Sequence, residues 1–506
     1  LRALWQTSVE RYKNDILIFN ESEQSSLTYG EYNEITKNIM AGLEHSGLKK
    51  GDRIAIFSPL NFEAVLTVWA CMQIGIVVIP VSYQIPENIV KHLISISDVK
   101  MVFASNHTYQ SAKRFFSGIN TIIFDDIESQ SEHAYQYFSD WIIPVDEFTF
   151  KHDLDHQDEA IVLLTSGSTG IPKLVSLSQG NLFRSGKIIA ENFQWEKSDR
   201  YFAFAGLETM SGLRNTCISP LIYGTSIIIS NSELKQNTFS LAEAVLSSKA
   251  TIISTNPVLL RQFVTHHNRI GNYLASLRLV MCTGSELTDE LRKEFFKKYK
   301  LKIVNYYGLT ETTGVCISQN PEEQLTSENI GSPIGCIAQT VDENGNIIQD
   351  GQKGELRIYS ENLMQGYLCE PGLTKELIID KWLYTGDIAC STNEGKIQLL
   401  GRKREIIKTA SGDLVFLKEV VDFIKKIAEI YDAVVYSYKE NDNEKMIAFI
   451  ISKNFIKDEK SFINKIKNDI IENLGISHLP SIFKLKKGFP HNDAGKVIKE
   501  KLMNGL

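Results

Sequence analysis

Apolar residues in the first 300 positions alternate between two textures. Short, nearly continuous apolar runs at Ile54–Phe57, Ile76–Pro80, Met101–Ala104 and Thr121–Phe124 predict buried strands. A second series follows at Ala160–Thr165, Thr225–Ser230, Thr251–Ser254, Leu277–Cys282 and Lys302–Asn305. Between them lie stretches with helical spacing, such as Glu63–Met72 and Glu87–Ile96. Strands of this kind separated by helices predict largely parallel sheets covered on both faces. From about residue 331 to 400 the texture changes. Turn signals at Asp342–Gly345, Asp350–Gly351 and Asn393–Gly395 separate short runs such as Glu355–Tyr359 and Ile397–Leu400, predicting an antiparallel sheet or small barrel. After Gly401, a helix over about Leu417–Ile430, strands at Ala433–Tyr438 and Met446–Ser452, and a helix over about Lys460–Leu474 predict a small α+β domain.

The expected fold class is therefore α/β: a large N-terminal body of helix-covered, largely parallel sheets, a small β-barrel-like subdomain, and a small mobile α+β C-terminal domain. The expected layout is residues 1–400 for the large domain, with subdomains at about 1–155, 156–330 and 331–400. A hinge at 401–405 and a lid at 406–506 complete it. At 506 residues the chain exceeds what one core holds. Its 43% hydrophobic and 23% charged composition is that of a globular protein, and no apolar run approaches the ~20 residues of a membrane span. Seven cysteines without any CxxC spacing point away from structural zinc and disulfides, and towards a reducing, cytoplasmic setting.

Charge adds one detail. The net charge is −7, yet residues 401–506 hold 20 Lys+Arg against 15 Asp+Glu, a net of +5 on a body of −12. No zinc-finger or RRM-type signature accompanies this excess, so nucleic acid is not an expected partner. A small basic domain that closes over a nucleotide would use it.

The chemistry begins at Thr165-Ser166-Gly167-Ser168-Thr169-Gly170-Ile171-Pro172-Lys173, directly after the apolar strand residues Ile161–Leu164. Two glycines permit a sharp turn that exposes N–H groups; with the hydroxyls and a lysine these can surround a phosphate. It is not a Walker A loop, since no Gly-Lys-Ser/Thr closes it. Read alone, it is either a phosphate cradle or a Ser/Gly surface loop.

This run resembles the phosphate loop of the adenylate-forming enzyme superfamily: acyl- and aryl-CoA synthetases, luciferases and the adenylation domains of nonribosomal peptide synthetases. The resemblance continues in order through Gly284-Ser285-Glu286, Asn305-Tyr306-Tyr307-Gly308-Leu309-Thr310-Glu311, Gly354-Glu355-Leu356 with Gly366-Tyr367, Trp382–Asp387, Gly401-Arg402 and Asn492-Asp493-Ala494-Gly495-Lys496. Each motif is weak by itself; the ordered set is specific.

The resemblance implies a reaction that joins a small carboxylic acid to the α-phosphate of ATP and then passes the acyl group to a thiol. It implies Thr165, Ser166, Gly167, Ser168, Thr169, Gly170 and Lys173 at the β- and γ-phosphates, Thr310 at the α-phosphate and Glu311 on Mg²⁺. Tyr307 would face the adenine, with Gly284, Ser285 and Glu286 at its edge. Asp387 suits the ribose hydroxyls, and Arg402 the ribose or a phosphate. Lys496 would bridge the substrate carboxylate and the α-phosphate as charge grows there. Gly412 would let a pantetheine arm pass. The acyl pocket is expected from Thr209, Leu213, Tyr306, Gly308, Leu309 and Thr313.

Departures from the family pattern are Leu174 for glycine, Gln179 for histidine, Arg404 at the hinge and Leu417 for proline. Thr209 stands where synthetases carry a histidine or aromatic and peptide synthetase domains an aspartate. Arg214 is read as a rim or surface residue, with contact to an anionic tail of the substrate as the alternative. Coenzyme A is the expected acceptor, because the sequence ends ten residues after Lys496 with no carrier module. An acyl or peptidyl carrier protein, through its phosphopantetheine, is the alternative. A non-catalytic nucleotide-binding relative and an ADP-forming kinase or ATPase are the rival classes.

Overall fold

The structure, a computed structural model, describes residues 1–125, 135–165, 172–230, 237–323, 325–408, 414–440, 443–490 and 497–503. It divides into two compact units. The first comprises Leu1–Ser327, Ser332–Ile337 and Tyr359–Lys381; the second comprises Glu328–Gly331, Ala338–Ile358 and Trp382–Leu506.

The first unit holds two large mixed sheets. One runs, in spatial order, Gly366–Tyr367, Lys173–Ser178, Glu159–Thr165, Val77–Val81, Arg53–Phe57, Val99–Ala104, Asn120–Ile123 and Gln136–Tyr137. The other runs Ser332–Pro333, Gly314–Ser318, Ile303–Leu309, Leu279–Cys282, Ile252–Thr255, Arg200–Phe202, Ser226–Ile229, Ile16–Asn20 and Ser25–Thr28. Their central pairs are parallel, as the unbroken apolar strands predict; Val77–Val81 is buried at every position. Antiparallel strands sit towards the ends, including Lys173–Ser178 on Glu159–Thr165 and Gly314–Ser318 on Ile303–Leu309.

Sheet membership does not follow blocks of sequence. Ile16–Asn20 pairs in parallel with Ser226–Ile229, and Gly366–Tyr367 pairs with Lys173–Ser178. One core cluster contains side chains of both sheets, such as Ile54 and Val78 with Ile227 and Met281. The helix Phe62–Ile74 belongs to that core. It starts at Asn61, whose side chain caps the Ala64 N–H, stops at Gly75 in the left-handed region (φ 78°), and is buried from Ala64 to Ile74. Trp69 stacks on Trp5 with ring centroids 5.0 Å apart.

In the second unit, Ile337–Val341, Gly354–Tyr359, Trp382–Ser391 and Ile397–Arg402 form the expected antiparallel sheet. The chain continues through a hairpin (Ile406–Lys408 with Leu414–Phe416), the helix Leu417–Lys426, and a three-stranded sheet of Ile430–Glu440, Asn443–Ser452 and Ile482–Leu485. The first helix is shorter than its periodicity suggests because Ile427 turns extended and Ile430 already pairs with Ser452. Leu417, Val420 and Ile424 form its buried stripe. Among the described residues no helix is long and apolar enough to cross a membrane.

Candidate active site

The strand Ile303–Leu309 breaks into one tight turn, Thr310–Thr312, before the chain returns as Gly314–Ser318. The reversal rests on left-handed backbone at Thr313 (φ 53°) and Gly314 (φ 91°). Gly308 must stay bare: a Cβ there would lie 1.6 Å from the Gly314 carbonyl oxygen. Thr312 locks the turn, its Oγ1 donating to Gly314 O at 2.8 Å and accepting from the Leu309 N–H at 2.9 Å. The result is a rigid mount for the Glu311 carboxylate at a strand's carboxyl end.

Glu311 is not alone. Its Oε1 accepts a hydrogen bond from the Tyr367 hydroxyl at 2.8 Å, and its backbone carbonyl accepts from the Met364 N–H at 2.9 Å. Lys173 Nζ lies 4.7 Å from the centroid of the Tyr367 ring. Lys173 is also the cross-strand partner of Thr165, so the two ends of the Ser/Gly run start side by side. Burial, and secondarily the Glu311 charge, push the Tyr367 phenol well above its ordinary pKa, which keeps it a donor. A carboxylate and an ammonium from different sheets are thus gathered around one ring. Tyr367 has no role in the sequence reading, though it lies in a quoted motif; its signal is an aromatic after Gly366, whose φ of 149° only glycine adopts easily.

Glu311 is the sole expected metal ligand, and among the described residues no group of three or more His, Cys, Asp or Glu could hold an ion. That fits Mg²⁺, which takes one or two protein carboxylates and completes its shell from phosphates and water.

Gly284, Ser285 and Glu286 are exposed just beyond the strand Leu279–Cys282, with Gly284 left-handed (φ 92°). This strand pairs in parallel with Ile303–Leu309 through Cys282 and Asn305, so the loop and Tyr306-Tyr307 leave neighbouring carboxyl ends. Ligands of open α/β sheets bind in that crevice.

In the second unit, Asp387 and Arg402 are cross-strand partners, and Arg402 Nε reaches Asp387 Oδ1 at 2.5 Å. Asp387 is 4% exposed. The residues read as two separate nucleotide contacts are paired with each other. Ser166, Gly167, Ser168, Thr169, Gly170, Gly412 and Lys496, together with the Arg404 side chain, lie outside the described residues.

The residues expected in the acyl pocket hold different places in the fold. Thr209 caps the turn Met210–Leu213: its Oγ1 accepts from Gly212 N–H at 3.0 Å and donates to Gly206 O at 2.9 Å. Thr313 is fully buried and donates to Asn362 O at 2.6 Å, so it acts as an internal tie. Leu213 is buried and Leu309 half-buried. Tyr306 packs against Phe193, with centroids 5.9 Å apart.

Arg214 corrects the sequence reading. It is no surface residue but fully buried, because the turn Met210–Leu213 runs on into a π-helical turn, Arg214–Ile218, that is buried throughout. Arg214 Nε donates to Asn215 Oδ1 at 2.9 Å and Nη2 to the Tyr306 hydroxyl at 3.3 Å, while Nη1 has no partner among the described residues. The legible signal is that Arg214 is the only charged residue between Met210 and Gly224.

Comparison with known proteins gives the family and the fold. Residues 5–368 match the family described as AMP-binding enzyme. The 2-succinylbenzoate–CoA ligase of Oceanobacillus iheyensis is 24% identical over 505 residues, covering 98% of each chain. The anthranilate CoA ligase AuaEII, solved in complex with anthranoyl-AMP, superposes with a TM-score of 0.87 at 19% identity, covering 99% of this chain and 96% of its own. The o-succinylbenzoate coenzyme A synthetase of Bacillus subtilis, solved with ATP and magnesium ion, gives 0.83 at 20% identity over 99% and 98%.

Proposed function

The chain belongs to the AMP-binding enzyme family, and on that premise we propose that it is an ATP- and Mg²⁺-dependent ligase joining a small carboxylic acid to coenzyme A. A carboxylate oxygen attacks the α-phosphorus of ATP; the new O–P bond forms as the bond to pyrophosphate breaks. The sulfur of the thiol then attacks the acyl carbon, the C–O bond to AMP breaks, and the thiol proton passes to solvent.

A carboxylate approaching a triphosphate meets like charge, so the site must supply cations and in-line placement rather than a strong base. The observation that carries this reading is the Glu311–Tyr367–Lys173 cluster at the carboxyl ends of two sheets. Lys173 supplies positive charge beside the polyphosphate. Glu311, held by the Tyr367 hydroxyl on one oxygen, presents the other to Mg²⁺, which when bound neutralises phosphate charge. Thr310 donates to the α-phosphate. Tyr307 gives the adenine a flat face beside Gly284, Ser285 and Glu286, and Asp387 with Arg402 serves the ribose. In this proposal the 165–173 loop holds the leaving pyrophosphate, Lys496 stabilises the transition state, and Gly412 lines the pantetheine path. The hinge at 401–405 and the lid that follows belong to the same proposal.

The test is ATP–pyrophosphate exchange across fatty, aryl and amino acids, followed by transfer to CoA or to a phosphopantetheinylated carrier protein. Acid-dependent exchange with thioester on CoA is the expected result. Thioester on the carrier alone would replace the acceptor, and exchange with no acid would overturn the proposal.

A further inference from the structure

The interior beside the acyl pocket is short of negative charge. The Arg214 guanidinium is enclosed by the turn Met210–Leu213, its own π-helical turn, and the hairpin carrying Tyr306 and Gly314. Gly314 is what lets it approach: a Cβ there would lie 2.3 Å from Nη1 and 3.1 Å from Met210 Cγ. Among the described residues no carboxylate pairs with it, and its two hydrogen bonds go to a neutral amide and a phenol. Burial accordingly pulls its pKa below the ordinary arginine value, with only Tyr306 and Tyr201 opposing. The same neighbourhood holds further buried polar atoms without partners among the described residues: Thr216 Oγ1 and Ser219 Oγ, on the π turn and its continuation. A π turn of this kind is itself a frequent mark of a functional site.

A guanidinium cannot shed its proton at neutral pH, and burying it unpaired is costly. A ligand that brings negative charge would offset that cost. Leu213 precedes Arg214 in the chain and the Tyr306 hydroxyl accepts from its Nη2; both are among the residues expected in the acyl pocket, which would bring an acid held there close to the guanidinium.

We propose that the acid this chain activates carries a second anionic group, a carboxylate or a sulfonate, and that Arg214 receives it through Nη1 while the first carboxylate is adenylated. Arg214 then determines substrate choice and takes no part in bond making. This inference rests on the adenylation reading above.

The experiment measures kcat/KM in acid-dependent pyrophosphate exchange for matched acids of equal chain length ending in carboxylate, sulfonate or methyl. Three proteins are compared: the native chain, Arg214→Lys and the similarly sized Arg214→Met. The native chain is expected to favour an anionic terminus over methyl by about 10²-fold, because a site built for a polar group rejects the analogue that lacks it. Arg214→Met should bring that ratio to near one, mainly through KM, and Arg214→Lys should keep part of it. The stronger of the carboxylate and sulfonate arms identifies the group. A native chain that handles the methyl acids as well as the anionic ones overturns the inference and leaves adenylation standing. So does an Arg214→Met protein that loses both equally. Should Arg214→Met fail to fold, the native ratio and Arg214→Lys decide. Exchange with no acid overturns the functional reading, and this inference with it.

Discussion

Two charged regions of the first unit handle charge in opposite ways. Around Glu311 both signs are present: the carboxylate is tethered by the Tyr367 hydroxyl, and Lys173 stands over the same ring. Glu311 and Lys173 are half-buried, so water screens what the protein does not. Around Arg214 there is, among the described residues, one sign only, in the interior, with an N–H left over. Elsewhere the chain surrounds such groups with more acceptors. Buried Arg292 donates to Ile303 O, to Gln319 Oε1 at 3.0 Å and to Thr326 O at 3.4 Å, with Asp289 in its field, although its Nε is, like Arg214 Nη1, without a partner among the described residues. Asp199, 2% exposed, pairs with Arg278, whose Nε lies 2.7 Å from its Oδ1. The difference is one of degree: Arg292 bonds to two backbone carbonyls and a side-chain amide, whereas Arg214 bonds only to the neighbouring Asn215 and a phenol.

Substitutions can break or sharpen that contrast. The largest effect is expected at Glu311: Glu311→Gln should lower the pyrophosphate exchange rate at saturating ATP by about 10²–10³-fold, the usual cost of losing a group that stabilises developing charge. Its urea midpoint should barely move. Arg292→Met should cost roughly 3 kcal/mol in urea denaturation, because it strands carbonyl and amide acceptors in the interior. Arg214→Met, removing an incomplete charge, should be neutral or stabilising in the same measurement; equal losses at the two arginines would erase the distinction between them. Tyr367→Phe should slow exchange by about tenfold, the worth of one hydrogen bond to a charged group.

The smallest effect concerns pH. The Tyr367 phenol is raised above its ordinary value of 10.0, so its proton, and the stability it lends, are present below that value and are lost only as pH passes the higher folded one. The ratio of Tyr367→Phe to native exchange rates should therefore stay flat from pH 7 to 10.

Much of this was readable along the chain because parallel strands are buried on both faces and leave apolar runs that local counting detects. What escaped was pairing at long range. The hairpin Ile16–Thr28 completes the sheet of residues 200–333, and nothing in its own residues names Ser226–Ile229 as its partner. Lys173–Ser178 follows the Ser/Gly loop as an antiparallel strand with too few residues to show its period. In the first unit, motif order singled out Glu311 and Lys173, and the structure brings both to the Tyr367 ring. Tyr367 was quoted without a role, since its bond to Glu311 spans 56 residues. Arg214 was misjudged because charge argues for the surface; the apolar run around it was the better guide.

The central claim is that this chain joins a carboxylate oxygen to phosphorus. The direct measurement uses an accepted acid with ¹⁸O in its carboxylate, with ATP, Mg²⁺ and CoA, and mass spectrometry of the nucleotide product. One ¹⁸O in each AMP formed, matched by one acyl-CoA, is the predicted result. Unlabelled AMP, or ADP in its place, would contradict it.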